Sequence, residues 1–311
     1  MLKITGLTKS YKNFSVLRGL NMSIEKGDVY GFVGTNGCGK TTTMNIICNI
    51  ITKDSGNISF DKDDIKIGYL PESPSLFEYM NAYEYLDFIG ACCEYDGDIK
   101  ERTSEVLHLT GMNENAKRYI KGYSRGMVQR IGIAAALYSR PDLLILDEPT
   151  SALDPEGRAG VIDIIGKLAD TGSTIVLCTH ILADVERIAN KVGMLRNGVM
   201  AVEGTLPDIK KAFGAGNAVI VRAQNSTDAA EVLRELDIVD RIETEYNNDI
   251  SAHAKDGVNE AELFYKIITS LAGKQIVPEG VWFKRLTLEQ IYLGINSGYL
   301  LPYSQQEGYT S

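Results

Sequence analysis

The chain has 311 residues, a formal net charge of −9 and an apolar fraction of 44%, a composition typical of globular proteins. The acidic balance argues against a nucleic-acid-binding protein, since such proteins usually carry a basic face. Five cysteines without CxxC spacing and only three histidines argue against a structural zinc site. No apolar run approaches the roughly 20 residues that cross a bilayer, and the N-terminus lacks the apolar core of a signal peptide. We therefore expect a cytoplasmic protein.

Strand-like stretches open the chain. Two of them, LKITGLTKSY and VLRGLNMSI, precede the apolar run VYGFVG. A helical segment follows, and then come the extended stretches GNISF and IKIGYL. From residue 82 to about 140 the pattern is helical. Asn81 and Glu84 have the spacing of an N-cap with its reciprocal partner, and Pro141 ends the block.

Three apolar runs predict buried parallel strands at LLIL (143–146), TIVLC (174–178) and VGML (192–195). Helical segments separate these runs, so we expect the N-terminal domain to be α/β. Asn197 and Gly198 form a strong hairpin signal, which joins the last run to another extended segment.

The character of the chain changes after about residue 215. Strand and helix patterns then follow the order β-α-β-β-α-β, which is typical of a split, ferredoxin-like α+β domain. A closing helix and a polar tail come last, and we expect the tail to be poorly ordered. The predicted domains are 1–212, with a helical subdomain at about 80–140, then 215–296 and a flexible tail at 297–311.

The segment GTNGCGKT has the spacing of a phosphate-binding loop: Gly34, four residues, then Gly39, Lys40 and Thr41. It lies between an apolar strand and a helical segment, as such a loop requires. Its backbone amides would converge on phosphate oxygens, the lysine would add charge, and the threonine hydroxyl could sit on Mg²⁺. A glycine-rich turn without a ligand is the weaker interpretation, because both flanking elements are present.

Two strand ends add titratable groups. Asp147 and Glu148 follow the run LLIL, and His180 ends the next strand. Parallel strands present their carboxyl ends at one ligand-binding edge. We expect Asp147 to hold Mg²⁺ through water, Glu148 to polarise an attacking water, and His180 to contact a γ-phosphate. A solvated acidic turn and a structural histidine are the weaker alternatives beside a phosphate loop.

Together these segments resemble the nucleotide-binding subunit of an ABC transporter over residues 1 to about 210. YSRGM (123–127) stands where the family has its LSGGQ signature, and SALDP (151–155) matches the family's D-loop. The resemblance implies a P-loop NTPase fold of the ABC cassette type, with a mixed sheet and a helical subdomain. It also implies ATP and Mg²⁺ as cofactors.

The resemblance also implies a set of site residues. Tyr11 falls where the family stacks an aromatic ring on adenine, and a surface strand tyrosine is the alternative. The implied catalytic residues are Lys40, Glu148 and His180, the metal-binding residues are Thr41, Glu72 and Asp147, and the nucleotide-binding residues are Tyr11, Val16, Gly34, Thr35, Asn36, Gly37, Cys38, Gly39, Lys40, Thr41, Thr42, Ser124, Gly126 and Met127.

In the resembled family, two subunits join head-to-tail, and the phosphate loop of one clamps ATP against the signature of the other. Ser124 and the amide of Gly126 would then reach the γ-phosphate that a second copy binds. Arg125 and Met127 depart from the usual signature in the manner of the exporter-type branch with separate membrane subunits. Glu72 stands at the Q-loop position, where glutamine is usual. Compared with glutamine, its side chain keeps a hydrogen-bond acceptor and loses the amide donor. The Glu72 carboxylate could bind Mg²⁺ directly or through water.

The implied function is that of an ATPase subunit that powers a separate membrane-embedded transporter, with export favoured over import. The expected partners are a second ATPase subunit, in a homodimer formed on ATP binding, and a membrane subunit that holds the chain at the inner face of the membrane; no nucleic acid is expected. One alternative is a soluble ABC-type ATPase that acts on ribosomes or nucleic acid, though such relatives usually carry two cassettes or a long coiled coil. Another is an ATP-binding module without turnover, against which Lys40, Glu148 and His180 argue.

Two features of the sequence, Cys38 and an aromatic segment, each allow two interpretations. Cys38 is either a reactive thiolate, favoured by Lys40 and the helix N-terminus, or an unreactive thiol turned into the sheet. The aromatic segment after the Q-loop position either docks a helix of the membrane subunit or forms the core of the helical subdomain; its residues are Phe77, Tyr79, Tyr83, Tyr85 and Phe88.

Overall fold

The fold comes from a computed structural model, which describes residues 1–213, 218–245, 247–255 and 257–297. The chain divides into two units, Met1–Leu206 and Pro207–Ser311. The division falls at the start of a helix that ends at Ala212, the predicted limit of the first domain.

In the first unit the strands and α-helices are, in chain order, β1 (Leu2–Tyr11), β2 (Phe14–Ile24), β3 (Val29–Gly34), α1 (Lys40–Ile47), β4 (Ser55–Phe60), β5 (Ile67–Leu70), α2 (Ala82–Cys92), α3 (Ile99–Leu109), α4 (Arg125–Leu137), β6 (Leu143–Asp147), α5 (Pro155–Asp170), β7 (Thr174–Thr179), α6 (Leu182–Ile188), β8 (Lys191–Arg196) and β9 (Val199–Thr205). Two short 3₁₀ turns, Asn113–Asn115 and Ile120–Gly122, lie between α3 and α4.

The central layer of the first unit is a six-stranded sheet in the order β5-β6-β7-β3-β8-β9. Its first five strands are parallel and β9 pairs antiparallel with β8, which confirms the predicted mixed sheet. Every residue of β3, β6 and β7 is buried, as expected for strands covered on both faces. Val33 pairs with Thr179 and Asp147 with Cys178, so the carboxyl ends of these three strands lie side by side.

A second, antiparallel sheet has the order β2-β1-β4. Its buried side chains, such as Leu7 and Leu20, belong to the same apolar cluster as Phe32 of β3 and Met44 of α1. This shared core packs α1 between the two sheets and so fixes the position of the loop that precedes it.

The segment predicted to be helical contains α2, α3 and α4. The Asn81 side chain accepts a hydrogen bond from the Glu84 amide at 3.1 Å, and the Glu84 carboxylate accepts one from the Asn81 amide at 2.9 Å, which confirms the reciprocal cap. Ser124 caps α4, because its hydroxyl accepts a hydrogen bond from the Met127 amide at 3.3 Å. The body of α4 is buried through residues such as Ile131 and Ile133.

The second unit contains, in chain order, α7 (Leu206–Ala212), β10 (Ala218–Arg222), α8 (Ser226–Arg234), β11 (Val239–Thr244), β12 (Ile250–Ala254), α9 (Glu260–Gly273), β13 (Gly280–Phe283) and α10 (Leu288–Ser297). From β10 to β13 the elements follow the predicted order β-α-β-β-α-β, and the strands form an antiparallel sheet in the order β11-β12-β10-β13. Leu233 of α8 and Leu263 of α9 share one apolar cluster with Val219 and Ile250 of the sheet. Beyond Ser297 the predicted tail lies outside the described residues.

Replacing Gly68 by alanine should destabilise the first unit. A Cβ at this position in β5 would overlap the carbonyl oxygen of Ala136 in α4, and buried backbone has little freedom to move away. We expect the free energy of unfolding to fall by about 1–3 kcal/mol, as in other overpacked cores. The matched control is Gly166→Ala in α5, where no heavy atom lies within 4 Å of the added Cβ. This control should gain about 0.5–1 kcal/mol. Urea unfolding measures both, and an unchanged midpoint for Gly68→Ala would contradict this packing.

Candidate functional site

A cleft of about 510 Å³ lies beside the loops that follow β3, β6 and β7. It brings together ten of the predicted site residues. They are Val16, Asn36, Gly37, Gly39, Lys40, Thr41, Thr42, Glu72, Glu148 and His180.

The phosphate-binding loop turns tightly between β3 and α1. Gly39 has a φ of 115°, which side chains disfavour, and a Cβ there would also press on Leu17. Lys40 begins α1 and is buried, and its ammonium donates a hydrogen bond to the Gly34 carbonyl at 2.8 Å. The loop thus places a cation beside the amides of a helix N-terminus, an arrangement that suits phosphate.

Asp147, the last residue of β6, is fully buried, and neither of its carboxylate oxygens accepts a hydrogen bond from the described residues. Burial raises the pKa of Asp147, and the nearby Thr41 hydroxyl partly offsets this effect. In the described part of the chain, no cluster of three or more His, Cys, Asp or Glu side chains could hold a metal. A buried carboxylate with unused acceptors still fits Mg²⁺, which binds through one or two carboxylates and completes its shell with phosphate and water oxygens.

Glu148 connects the phosphate loop to the end of β7. Its carboxylate lies 3.5 Å from the Lys40 ammonium and accepts a hydrogen bond from the Thr179 hydroxyl at 3.2 Å. Nδ1 of His180 lies 3.0 Å from each of the two carboxylate oxygens. Because an ionised carboxylate can only accept, the proton belongs on Nδ1 and His180 is the donor. Glu148 has a φ of 49°, a conformation that costs on the order of 1–3 kcal/mol for a residue other than glycine.

Several predicted residues lie outside the lining of this cleft. Tyr11 is 48% exposed at the end of β1, opposite Phe14, and the Lys9 ammonium lies 5.4 Å from the centre of its ring. Ser124 caps α4 in the helical subdomain. The other predicted residues outside the lining are Gly34, Thr35, Cys38, Gly126, Met127 and Asp147.

The structure contradicts the interpretation of Cys38 as a reactive thiolate. Its side chain is buried in the apolar cluster that contains Phe32 and Leu195, with Sγ against Gly34. Burial raises the pKa of the Cys38 thiol more than the nearby Lys40 charge lowers it. The structure therefore supports the alternative, a thiol turned inward and protonated.

Sequence reasoning misses Thr179, although its hydroxyl contacts Glu148, one of the predicted catalytic residues. Its hydroxyl donates to Glu148 and also accepts a hydrogen bond from the Ile181 amide at 3.0 Å. The signal that could have found it is its place between an apolar strand and His180. Thr179 therefore helps to hold both Glu148 and the turn that carries His180.

Comparison with known proteins decides the family. A profile of the ABC transporter family matches residues 17–151. The linearmycin resistance ATP-binding protein LnrL of Bacillus subtilis (strain 168) is 33% identical over 285 residues, which cover 87% of this chain and 89% of that protein. The chain belongs to the ABC transporter ATP-binding proteins. As a member of this family, the chain is an ATPase that binds ATP and hydrolyses it to energise an ABC transporter.

Other similar proteins support the same family assignment for this ABC ATPase. The lantibiotic transport ATP-binding protein SrtF of Streptococcus pyogenes is 38% identical over 209 residues, covering 65% of this chain and 90% of that protein. The ATP-binding cassette MJ0796, in a dimeric post-hydrolysis state bound to ADP and Pi, has a TM-score of 0.60 at 27% identity and covers 66% of this chain and 99% of its own. The fold of the first unit is therefore that of an ABC cassette.

Throughout the described residues, helices fall short of the length and apolar character that crossing a bilayer demands.

Thiol labelling should distinguish the exposed cysteines of this ABC ATPase from the buried ones. Cys92 and Cys93 are exposed at the end of α2, whereas Cys38 and Cys178 are buried. We expect a maleimide to react with Cys92 and Cys93 and to leave Cys38 unmodified, with ATPase activity retained. Peptide mapping measures the sites, and the Cys92→Ser/Cys93→Ser double variant is the control that should lose most of the label. Rapid labelling of Cys38, with ATP protecting it, would contradict the buried position.

Proposed function

We propose that this ABC ATPase binds ATP with its phosphates on the loop 34–42 and its adenine over Tyr11, and that Glu148 is the general base for hydrolysis. The observation that carries this proposal is the buried Glu148 carboxylate in contact with both Lys40 and His180. A general base must lie within reach of the attacking water and beside the phosphate site, and this carboxylate lines the same cleft as the phosphate loop. The exposed ring of Tyr11 is accessible for stacking.

In the proposed reaction a water molecule attacks the γ-phosphorus and gives its proton to Glu148. The bond between the γ-phosphorus and the β–γ bridging oxygen breaks, and ADP leaves with that oxygen. The Nδ1–H of His180 holds the carboxylate in place through a hydrogen bond. Lys40 exchanges its contact with Glu148 for oxygens of the terminal phosphates, which frees the carboxylate to accept a proton.

Thr41, Asp147 and Glu72 are the proposed ligands of Mg²⁺. Thr41 supplies a hydroxyl, Asp147 supplies two buried oxygens that accept no hydrogen bond within the described chain, and Glu72 supplies a carboxylate in the cleft lining. When bound, Mg²⁺ neutralises the charge of the terminal phosphates. Glu72 in place of glutamine adds a negative charge, which strengthens the attraction for a divalent cation.

We propose that Ser124, Gly126 and Met127 act on the ATP of a second copy in a head-to-tail homodimer. They lie at the start of α4, where the Ser124 hydroxyl and the helix amides form a favourable contact for phosphate. They do not line the cleft of their own chain, and a second copy provides a site for them to complete. The relative MJ0796 is described as a dimer, which supports this arrangement.

The proposed partner is a separate membrane subunit, and export is the proposed direction of transport. Relatives are named for linearmycin resistance, lantibiotic transport and daunorubicin/doxorubicin resistance. In the aromatic segment Tyr85 is buried, whereas Tyr79 and Phe88 are exposed. We assign Tyr85 to the core of the helical subdomain and the exposed rings to the contact with the membrane subunit, which places the chain at the inner face of the membrane.

Residues 215–296 form a proposed accessory domain of the ferredoxin-like class. The element order β-α-β-β-α-β and the strand order β11-β12-β10-β13 support this class, because its first and third strands pair at the centre of an antiparallel sheet.

The Glu148→Gln variant should bind Mg-ATP and turn it over very slowly, because glutamine keeps the shape of the side chain and cannot accept the proton. A general base contributes about 10²–10⁴-fold to the rate. We expect kcat to decrease by a factor within that range, while the Kd for ATP changes little. Steady-state phosphate release at the wild-type rate would show that Glu148 is not the base.

The Ser124→Arg variant should weaken ATP-driven dimerisation and leave ATP binding by the single chain intact. It is made in the Glu148→Gln background, and sedimentation velocity with Mg-ATP measures the dimer. The variant also removes the N-cap of α4, so Asp98→Arg is the control: it removes the N-cap of α3, which lies away from the cleft lining. Both lose about 0.5–2 kcal/mol of stability. Dimerisation that survives Ser124→Arg, or that fails equally in Asp98→Arg, would contradict a trans contact of Ser124.

A further inference from the structure

Thr150, Asp184 and Arg158 form a polar cluster beside the catalytic pair that the proposed reaction does not use. The Thr150 hydroxyl donates to one carboxylate oxygen of Asp184 at 2.7 Å. Arg158 donates to the other oxygen through Nε at 2.9 Å and Nη2 at 2.8 Å. Thr150 is 1% and Asp184 4% exposed. A carboxylate so deeply buried depends on such partners, since an unpaired charge is costly to bury.

The three residues come from three different segments of the first unit. Thr150 lies two residues after Glu148 in the turn that follows β6. Asp184 lies four residues after His180, in the first turn of α6. Arg158 lies near the start of α5. One carboxylate therefore links the segment that carries the general base to the segment that carries the histidine.

Within the turn after β6, the Glu148 carbonyl accepts hydrogen bonds from the Ser151 amide at 3.2 Å and from the Ser151 hydroxyl at 3.0 Å. The last backbone hydrogen bond between β6 and β7 at this edge joins the Glu148 amide to the Cys178 carbonyl at 2.8 Å. Beyond it the chain is held in the left-handed conformation of Glu148, which a side chain disfavours. The hydrogen bond from Thr150 to Asp184 ties this turn to the first turn of α6.

The start of α6 gains from the same contact. No side chain caps this helix at its Ile181 N-cap position, and the His180 side chain is only half-buried. Arg158 and Thr150 hold Asp184 from two sides and so anchor the first turn of α6. His180 then meets Glu148 at a fixed distance although about half of its own side chain is exposed.

We infer that Asp184 is a positioning residue for ATP hydrolysis, which, together with Thr150 and Arg158, sets the distance between Nδ1 of His180 and the Glu148 carboxylate. This inference rests on the proposed roles of Glu148 and His180. A misplacement of about 1 Å at a reacting group can cost on the order of 100-fold in rate. Loss of the cluster therefore acts on kcat, whereas the phosphate loop and the binding of ATP stay as they are.

Two substitutions in the full chain separate the hydroxyl from the shape of residue 150. Thr150→Val keeps the branched shape and removes the donor to Asp184. Thr150→Ser keeps the donor. We expect kcat to fall about 10- to 100-fold in Thr150→Val with KM for ATP within about twofold, and to stay near the wild-type value in Thr150→Ser. Equal kcat values for the two variants would overturn the inference.

Thr103→Val is the matched control for stability. Thr103 is also 1% exposed, and its hydroxyl donates to the Asp87 carboxylate at 2.6 Å in the helical subdomain. Both valine variants should lower the melting temperature by similar amounts, and only Thr150→Val should lower kcat. A drop in kcat of the same size in Thr103→Val would mean that general destabilisation is the cause, and the inference would be wrong.

The Glu148→Gln background shows whether Thr150 acts through the base. In single-turnover experiments Thr150→Val should change the residual rate by less than about twofold there, because the group that it positions has lost its function. A reduction by the same factor in both backgrounds would overturn the inference. If Glu148→Gln by itself kept the wild-type rate, the proposed general base would fail instead, so the two failures are distinguishable.

Discussion

The parallel pairing of β3, β6 and β7 is the constraint on which the site depends. Their register brings the start of the phosphate loop, the Asp147–Glu148 pair and His180 to one edge of the sheet. Every residue of these strands is buried, so a slip by one residue would reverse the facing of each apolar side chain. Apolar burial therefore fixes the positions of charged groups that loops alone would not hold within hydrogen-bond distance.

Negative charges outnumber positive ones at this edge of the sheet. Lys40 lies among the carboxylates of Glu72, Asp147 and Glu148. A phosphate chain that arrived without a cation would meet this surplus of negative charge, so the site favours nucleotide and metal together. The Glu72 carbonyl accepts a hydrogen bond from the Gln129 side chain at 3.3 Å. The helix α4, which begins at the signature-like segment, is thus joined to a wall of the nucleotide cleft.

A sequence predicts those features of the site that are determined by residues close together in the chain. The phosphate loop could be predicted because its glycines meet a local backbone requirement. The three buried strands could be predicted because short, continuous apolar runs are typical of strands that are covered on both faces. The orientation of Cys38 could not be predicted, since it depends on packing against Leu195 far along the chain. Asp184 gives no local signal either, because its partners Thr150 and Arg158 lie 34 and 26 residues away.

Mixing two inactive variants tests most directly whether each ATP site is shared between two copies of the chain. Lys40→Ala removes the phosphate-loop cation and keeps the signature. Ser124→Arg disrupts the signature and keeps the phosphate-loop cation. Neither variant should hydrolyse ATP by itself. A dimer that combines the two chains has one site with an intact phosphate loop and an intact signature, so the mixture should regain ATPase activity that neither variant has alone. A mixture as inactive as its components would contradict a site built from two chains.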